Sequence, residues 1–168
     1  MAIAQSLLPE FDHEMTTTRT LLERIPEADA GWKPHPKSWN LGDLAAHIVN
    51  LLAWAGPTFR QTELDLNPVG GPAWESPDFP GTAELLTRFD RHVAEVRQLL
   101  AEQPDEAFFV KWTLLNAGTA VLTLPRIACW RSFIMNHGIH HRGQLSVYLR
   151  LRNVPLPSIY GPTADTAM

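Results

Sequence analysis

Apolar residues recur every three or four positions in four stretches of the chain, which is the spacing of an amphipathic helix. Pro26 ends the first stretch, and Ser38 and Asn40 are candidate caps for the second. Pro104 closes the third stretch, and Pro125 opens the fourth at a helix first turn. The four helices expected from this pattern cover residues 7–25, 41–54, 82–103 and 125–152.

Proline and glycine concentrate in the connections between these helices. Residues 26–37 hold three prolines and a glycine, and residues 67–81 are rich enough in both to predict an irregular loop between helices two and three. This second loop is a candidate cover for a site. Residues 107–123 have a mixed pattern that permits either a short hairpin or an extended connection before helix four, with 116–118 supplying the turn.

Four long amphipathic helices without a sustained strand pattern predict an all-α fold, a four-helix bundle. A chain of 168 residues that is 45% hydrophobic suits one domain spanning residues 1–168. Because no run reaches about 18 apolar residues and the start lacks a signal-peptide pattern, we expect neither a membrane span nor export. Cys129 is the only cysteine, which excludes an internal disulfide and suits a reducing cytoplasm.

Charge and missing motifs exclude several functional classes. The formal net charge is −4, from 14 basic and 18 acidic residues, and there is no basic stripe. This balance argues against binding of nucleic acid or of an anionic membrane surface. The chain also lacks a glycine-rich phosphate loop and a serine in a nucleophile-elbow pattern.

The fourth helix carries two histidines one turn apart. His137 and His141 lie about 40° apart around the helix, with Cβ atoms about 5 to 6 Å from each other, so that one divalent cation can bridge them. The alternative is a pair of core histidines hydrogen-bonded to neighbouring polar groups. Their face is expected to point inward because it also carries Trp130, Ile134, Leu145 and Tyr148.

His47 is the best candidate for a third ligand. It shares the apolar face of the second helix with Leu44, Leu51 and Trp54. Three inward imidazoles can hold zinc, nickel or a similar ion and leave a coordination position for water or substrate. The other histidines fit this pattern less well: His35 and His92 are expected at the solvated surface, and His13 and His140 stay candidates for the surroundings of the site.

Two polar residues follow the candidate ligands by about one helical turn. Gln144 follows His141 and Asn50 follows His47, so each can orient a ligand or be an ordinary polar residue at the bundle edge. Arg142 projects roughly opposite the histidine pair, which favours a salt bridge or a subunit contact.

Aromatic residues offer candidate walls for a ligand cleft. Trp54 and Trp130 share faces with the histidines, whereas Trp39 and the other tryptophans are expected as core or interface anchors. Tyr148 can either offer a hydroxyl to a substrate or cap the edge of the core.

Three segments carry a resemblance to a known family: Trp-Lys-Pro-His-Pro-Lys-Ser-Trp-Asn-Leu-Gly-Asp-Leu-Ala-Ala-His at 32–47, Asn-His-Gly-Ile-His-His-Arg-Gly-Gln-Leu at 136–145 and Pro-Ser-Ile-Tyr-Gly-Pro-Thr-Ala-Asp at 157–165. The specific feature is a lone histidine on helix two, then a histidine pair four apart on helix four, followed by Arg-Gly-Gln. In this respect the chain resembles the DinB/YfiT family of damage-inducible, metal-binding bacterial proteins.

The resemblance implies a bundle of up-down-down-up order that holds a divalent ion through His47, His137 and His141. It also implies a homodimer. The better understood relatives are S-transferases that use a low-molecular-weight thiol, or thiol-dependent isomerases, in which the metal lowers the pKa of the thiol.

Three functional hypotheses follow. The first is a small-thiol S-transferase that acts on an electrophilic small molecule through a metal-bound thiolate, and the second is a hydrolase that uses metal-bound water. The third is a non-catalytic metal-binding stress or interaction protein that the ion stabilises. A zinc peptidase is disfavoured, because the helix lacks a glutamate beside a ligand histidine to act as general base.

Overall fold

Four long helical segments form the body of the molecule. The computed structural model describes residues 2–166. Within this range the α-helices are α1 (Ile3–Leu22), α2 (Leu41–Leu51), α3 (Ala55–Arg60), α4 (Thr82–Ala101), α5 (Arg126–Cys129) and α6 (Asn136–Leu151). The strands are β1 (Glu63–Asp65), β2 (Lys111–Asn116) and β3 (Thr119–Pro125). Short 3₁₀ segments occupy Glu27–Asp29, Leu52–Trp54 and Asp105–Phe109.

The long helices pack as the sequence pattern predicts. Helix α1 contacts α4 and α6, and α2 contacts the same two helices, so α1 and α2 lie on opposite sides of the bundle. Their buried faces form one continuous apolar core. The predicted cap of α2 is confirmed, since the Asn40 side chain accepts a hydrogen bond from the Asp43 amide at 2.7 Å. Among the described residues, no helix is both long and apolar enough to cross a bilayer.

A small sheet corrects the all-α prediction. Strand β1 pairs in parallel with β2, and β2 pairs antiparallel with β3, so the hairpin alternative is the one that forms. Side chains of β2 alternate in burial: Trp112 is fully buried and Leu114 nearly so. The Trp112 indole donates a hydrogen bond to the Pro57 carbonyl at 3.1 Å, which ties the sheet to α3.

The hairpin turn contains a residue in a strained backbone conformation. Ala117 has φ 51° and Gly118 has φ 73°, and positive φ suits glycine but not alanine. The Asp65 carboxylate accepts hydrogen bonds from both of their amides, at 3.0 and 2.7 Å. Strand β1 therefore stabilises the turn that joins β2 to β3.

The fourth predicted helix contains a π-helical segment, Trp130–Met135, between α5 and α6. A π turn inserts one extra residue, which rotates the preceding part of the helix by about 100° relative to a regular α-helix. Trp130 consequently lies in the core, where its ring centroid is 5.6 Å from that of Phe11. The prediction that Trp130 shares a face with the histidines is therefore wrong, and Phe133 lies beside His137 instead.

The opposite face of α6 anchors the C-terminal tail. Arg142 is buried and forms an ion pair with buried Glu14 at 2.6 Å, as the salt-bridge alternative predicted. Its guanidinium also donates to the Tyr160 hydroxyl at 2.6 Å, and that hydroxyl donates to the Glu14 carboxylate at 2.9 Å. Burial raises the pKa of Tyr160, and the adjacent Glu14 raises it further. The network fastens the tail to α1 and α6.

Candidate metal centre

Three histidines from two packed helices converge at one place. Helix α2 supplies His47, and α6 supplies His137 and His141 from adjacent turns. One ring nitrogen from each residue can be chosen so that all three lie within 4.8 Å of one another. The side chains are half-buried. The structure thus brings together the three residues that the sequence singled out.

The separation of His47 and His137 suits a shared cation better than a direct hydrogen bond. His47 Nε2 lies 3.4 Å from His137 Nε2, longer than the roughly 2.9 to 3.0 Å of a typical nitrogen-donated hydrogen bond. Ligand nitrogens about 2.0 to 2.1 Å from a tetrahedral zinc ion are about 3.3 to 3.4 Å from each other. The separation of 3.4 Å between His47 and His137 matches one edge of such a tetrahedron.

Electrostatics keep the three imidazoles neutral near pH 7. Burial, and then the proximity of His141 and His137, lower the pKa of His47 to about 4. Burial also lowers the pKa of His137 and of His141. A neutral imidazole has a free lone pair, so the donor set is chemically ready for a borderline divalent ion.

Gln144 and Tyr148 orient one of these rings. Gln144 Oε1 lies 2.9 Å from His141 Nδ1, and its Nε2 donates to the Tyr148 hydroxyl at 3.1 Å. Tyr148 is itself buried. Gln144 therefore contacts the Nδ1 side of the His141 ring, and the Tyr148 hydroxyl accepts a hydrogen bond from Gln144.

Trp39 belongs to the site, although its pattern predicted an anchor. Its ring centroid lies 4.6 Å from that of His47 and 5.4 Å from that of His141. The residue is 45% exposed and forms an outer wall of the histidine cluster. Because Trp39 precedes the N-cap of α2, helical periodicity gives no information about where its side chain points. Its position next to that cap is the only feature of the sequence that places it near His47.

An apolar cleft of about 110 Å³ opens beside His47 and His137. Trp54 and Phe133 form its aromatic wall, with ring centroids 6.2 Å apart. The remaining lining residues are Asn50, Leu51 and Ser76. The site therefore offers a small apolar space next to the candidate ligands.

The proline-rich loop between α3 and α4 covers this region. Its Ser76, Pro77 and Asp78 line a second cleft of about 210 Å³ that also reaches His47 and Trp39. The Asn50 amide donates to the Pro77 carbonyl at 2.8 Å and fixes the loop. Asn50 thus positions the cover of the site, and its side-chain nitrogen is engaged by the Pro77 carbonyl.

The remaining histidines lie outside the three-histidine group. The exposed His140 ring is 4.8 Å from that of His141 between centroids, whereas His13 is exposed on α1. His35 is exposed, as predicted. The surface prediction for His92 is wrong: it is half-buried, its Nδ1 is 3.3 Å from the Val49 carbonyl, and burial lowers its pKa.

A helical bundle with a three-histidine group beside a covered cleft defines a class of protein that can hold a divalent metal ion. The chain matches the model of the DinB superfamily over residues 10–145. It belongs to that superfamily.

Similar proteins agree with this assignment. YrdA of Bacillus subtilis (strain 168) is 24% identical over 165 residues, covering 94% of this chain and 88% of YrdA. A DinB-like protein from Bacillus cereus ATCC 10987 has the same fold, with a TM-score of 0.69, 20% identity, and coverage of 95% and 98% of the two chains. DinB-like YjoA from Bacillus subtilis also gives 0.69, with 19% identity and coverage of 94% and 99%.

Proposed function

We propose that this protein is a metal-dependent S-transferase that joins a small thiol to an electrophilic small molecule. The supporting observation is the arrangement of three neutral imidazoles beside a covered apolar cleft. His47, His137 and His141 would hold the divalent ion, zinc or nickel by the chemistry of the donor set. A cation bound there would lower the pKa of a thiol or of water.

The residues around the histidines have separate tasks. Gln144 keeps the His141 ring oriented toward the other two. Trp54 and Phe133 would bind the apolar part of the electrophile and exclude water from the reacting atoms. Asn50 holds the covering loop closed over them.

Two observations favour transfer over hydrolysis. Within the described part of the chain, no carboxylate joins the three-histidine group, and none lines the apolar cleft, so a hydrolase would have no general base in that cleft. Asp43 and Asp78 line the second cleft and not the apolar one. The aromatic wall suits an organic electrophile better than it suits a water molecule.

The test combines metal analysis with a transfer assay. Protein stripped with a chelator is reloaded with Zn²⁺ or Ni²⁺, and bound metal is measured by mass spectrometry. Transfer of bacterial thiols to 1-chloro-2,4-dinitrobenzene is then followed by absorbance. We expect one ion per chain and metal-dependent transfer, with His47→Ala losing both. His13→Ala, which removes an exposed histidine, is the matched control.

Two results would contradict the proposal. Transfer that survives His47→Ala would exclude the assigned site. Stoichiometric metal binding without turnover of any thiol would favour a non-catalytic role, in which the ion chiefly stabilises the bundle.

A further inference from the structure

The second cleft, between α2 and the covering loop, is acidic. Its volume is about 210 Å³, and His47 and Trp39 form part of its wall. Asp43 of α2 and Asp78 of the loop also line it, whereas no lysine or arginine of residues 2–166 does. This acidic cleft therefore carries an excess of negative charge beside one of the three candidate metal ligands. Such a cleft concentrates its electric field and attracts cations.

Neither of these two carboxylates is neutralised within the protein. No basic side chain among residues 2–166 lies within 4.0 Å of the carboxylate of Asp43 or of Asp78. By contrast, Asp29 pairs with Arg152 at 2.8 Å. The two acids of the cleft are therefore available to a cation from outside the chain.

Trp39 adds an aromatic surface for the same cation. It is 45% exposed, and its ring centroid lies 4.6 Å from that of His47. The face of a tryptophan is the most favourable aromatic partner for an ammonium or guanidinium group. The cation–π contacts within the described residues involve Tyr160 and Trp32 instead, so an external cation does not have to displace one at Trp39.

Asn50 supplies an acceptor without a donor. The residue lines the acidic cleft and is only 6% exposed. Its Nδ2 donates to the Pro77 carbonyl, and no residue of 2–166 donates to its Oδ1. Within the same range, Arg126 Nε is the only fully enclosed side-chain atom that lacks a hydrogen-bond partner. The Oδ1 atom of Asn50 consequently reaches open space, where a ligand can donate to it.

We infer that the acidic cleft binds the primary ammonium group of a small-molecule substrate, with Asp43 and Asp78 as its charged acceptors. Asn50 Oδ1 is the third acceptor, and Trp39 is the aromatic wall. A primary ammonium group has three N–H donors, which equals the number of these acceptors. A carboxylate in the same place would be repelled by both acids. This inference rests on the proposed function, because it names the charge of a substrate of that same site.

The first measurement compares three probes that differ in one group. 2-Phenylethylamine carries an ammonium, 2-phenylethanol a hydroxyl and 3-phenylpropionate a carboxylate. Each is titrated by calorimetry into zinc-loaded and metal-free protein. The variants are Asp43→Asn, Asp78→Asn and the double variant. Glu106→Gln removes an exposed carboxylate that does not line the cleft and is the matched control.

We expect the amine to bind at least about 5-fold more tightly than the alcohol, and the carboxylate to bind most weakly. Each single variant should weaken amine binding by about 2- to 5-fold, the usual loss for an exposed ion pair, and the double variant by about 5- to 25-fold. Alcohol binding should stay unchanged in every variant, and Glu106→Gln should change no affinity. Zinc should weaken amine binding without changing the order of the probes, because the ion is also positive.

Transfer rates show whether the thiol or the electrophile carries the ammonium group. Cysteamine is compared with 2-mercaptoethanol as the thiol, and 2-bromoethylamine with 2-bromoethanol as the electrophile. The quantity compared is the ratio of kcat/KM between the wild type and the double variant, which cancels the intrinsic reactivity of each compound. A ratio of about 5 or more for one amine, with a ratio near 1 for its alcohol, assigns the ammonium group to that substrate.

Three outcomes would overturn the inference: equal binding of amine and alcohol, equal weakening of both by the double variant, or loss of the amine preference in zinc-loaded protein. Failure of the proposed function is distinguishable from these. Amine binding that depends on Asp43 and Asp78, together with no thiol transfer, would retain the cleft and reject the transferase. Transfer with ratios near 1 for both amines would retain the transferase and reject the ammonium site.

Discussion

The side-chain oxygen of Gln144 accepts a hydrogen bond from Nδ1 of His141 across 2.9 Å. An amide oxygen can only accept, so the proton of the neutral imidazole is on Nδ1 and the lone pair is on Nε2. Tyr148 holds the other end of the amide and prevents it from turning. This relationship fixes the tautomer that a metal ligand needs at that position.

Removing this contact should weaken metal binding without unfolding the protein. We expect Gln144→Ala to reduce Zn²⁺ affinity by about 10- to 100-fold, as is usual when a hydrogen-bond partner of a ligand histidine is lost. Competition with a chromophoric chelator measures the affinity. Gln98→Ala, which removes an exposed amide on α4, should have no effect. Equal affinities for Gln144→Ala and the wild type would show that Gln144 does not support the site.

The buried ion pair between Arg142 and Glu14 should dominate the stability of the tail region. Arg142→Met leaves the Glu14 carboxylate buried without its cation, which should lower the free energy of unfolding by about 3 to 5 kcal/mol. Urea denaturation measures the loss. Arg131→Met breaks a half-exposed pair with Glu10 and should cost less than about 1 kcal/mol. A similar small loss for both variants would contradict the assignment.

The turn at Ala117 should be improved by glycine. A φ of 51° costs a residue with a Cβ about 1 to 2 kcal/mol, and glycine avoids this strain. The greater conformational entropy of glycine in the unfolded chain offsets part of the stabilisation. We expect Ala117→Gly to stabilise the protein by up to about 1 kcal/mol in urea denaturation. Ala120→Gly, in the adjoining strand, should instead destabilise it by about 0.5 to 1 kcal/mol. Destabilisation by both substitutions would contradict strain at Ala117.

Helical spacing was sufficient to predict the long helices and the convergence of the three histidines. His137 and His141 share a face because α6 is a regular helix between them, so a rule based on 100° per residue holds there. His47 could be added because α2 buries the same stripe that carries it. Both deductions need only local geometry and the tendency of apolar faces to meet.

Features that depend on non-local structure were not predictable in this way. The rule that placed Trp130 with the histidines fails at the π segment, which has no sequence signature in the pattern. Strand β1 has three residues and forms only by pairing with β2, far along the chain. His92 is half-buried by its contact with α2, and the apolar pattern of α4 alone gives no information about that contact. The up-down-down-up order, the homodimer and the cytoplasmic location stay predictions.

The lowered pKa values of the histidines should make the metal-free protein sensitive to acid. An unfolded imidazole binds its proton near pH 6.5, whereas folded His47 does so only near pH 4. Between these values the unfolded chain holds more protons than the folded one, so the free energy of unfolding falls as pH falls. Below about pH 4 both states are protonated at His47, and its contribution to the slope ends. Urea denaturation at intervals from pH 7.5 to 4 measures this decline.

His47→Gln separates this effect from general acid denaturation. Glutamine does not titrate, so the variant should lose less stability than the wild type between pH 6.5 and 4. His13→Gln removes an exposed histidine and should follow the wild-type curve. Bound Zn²⁺ should be released over the same range, because protons compete with the cation for the same nitrogen lone pairs. Parallel curves for His47→Gln and the wild type would mean that folding does not lower the pKa of His47. A lowered pKa could then not be the reason that this imidazole is neutral and ready to bind a metal ion.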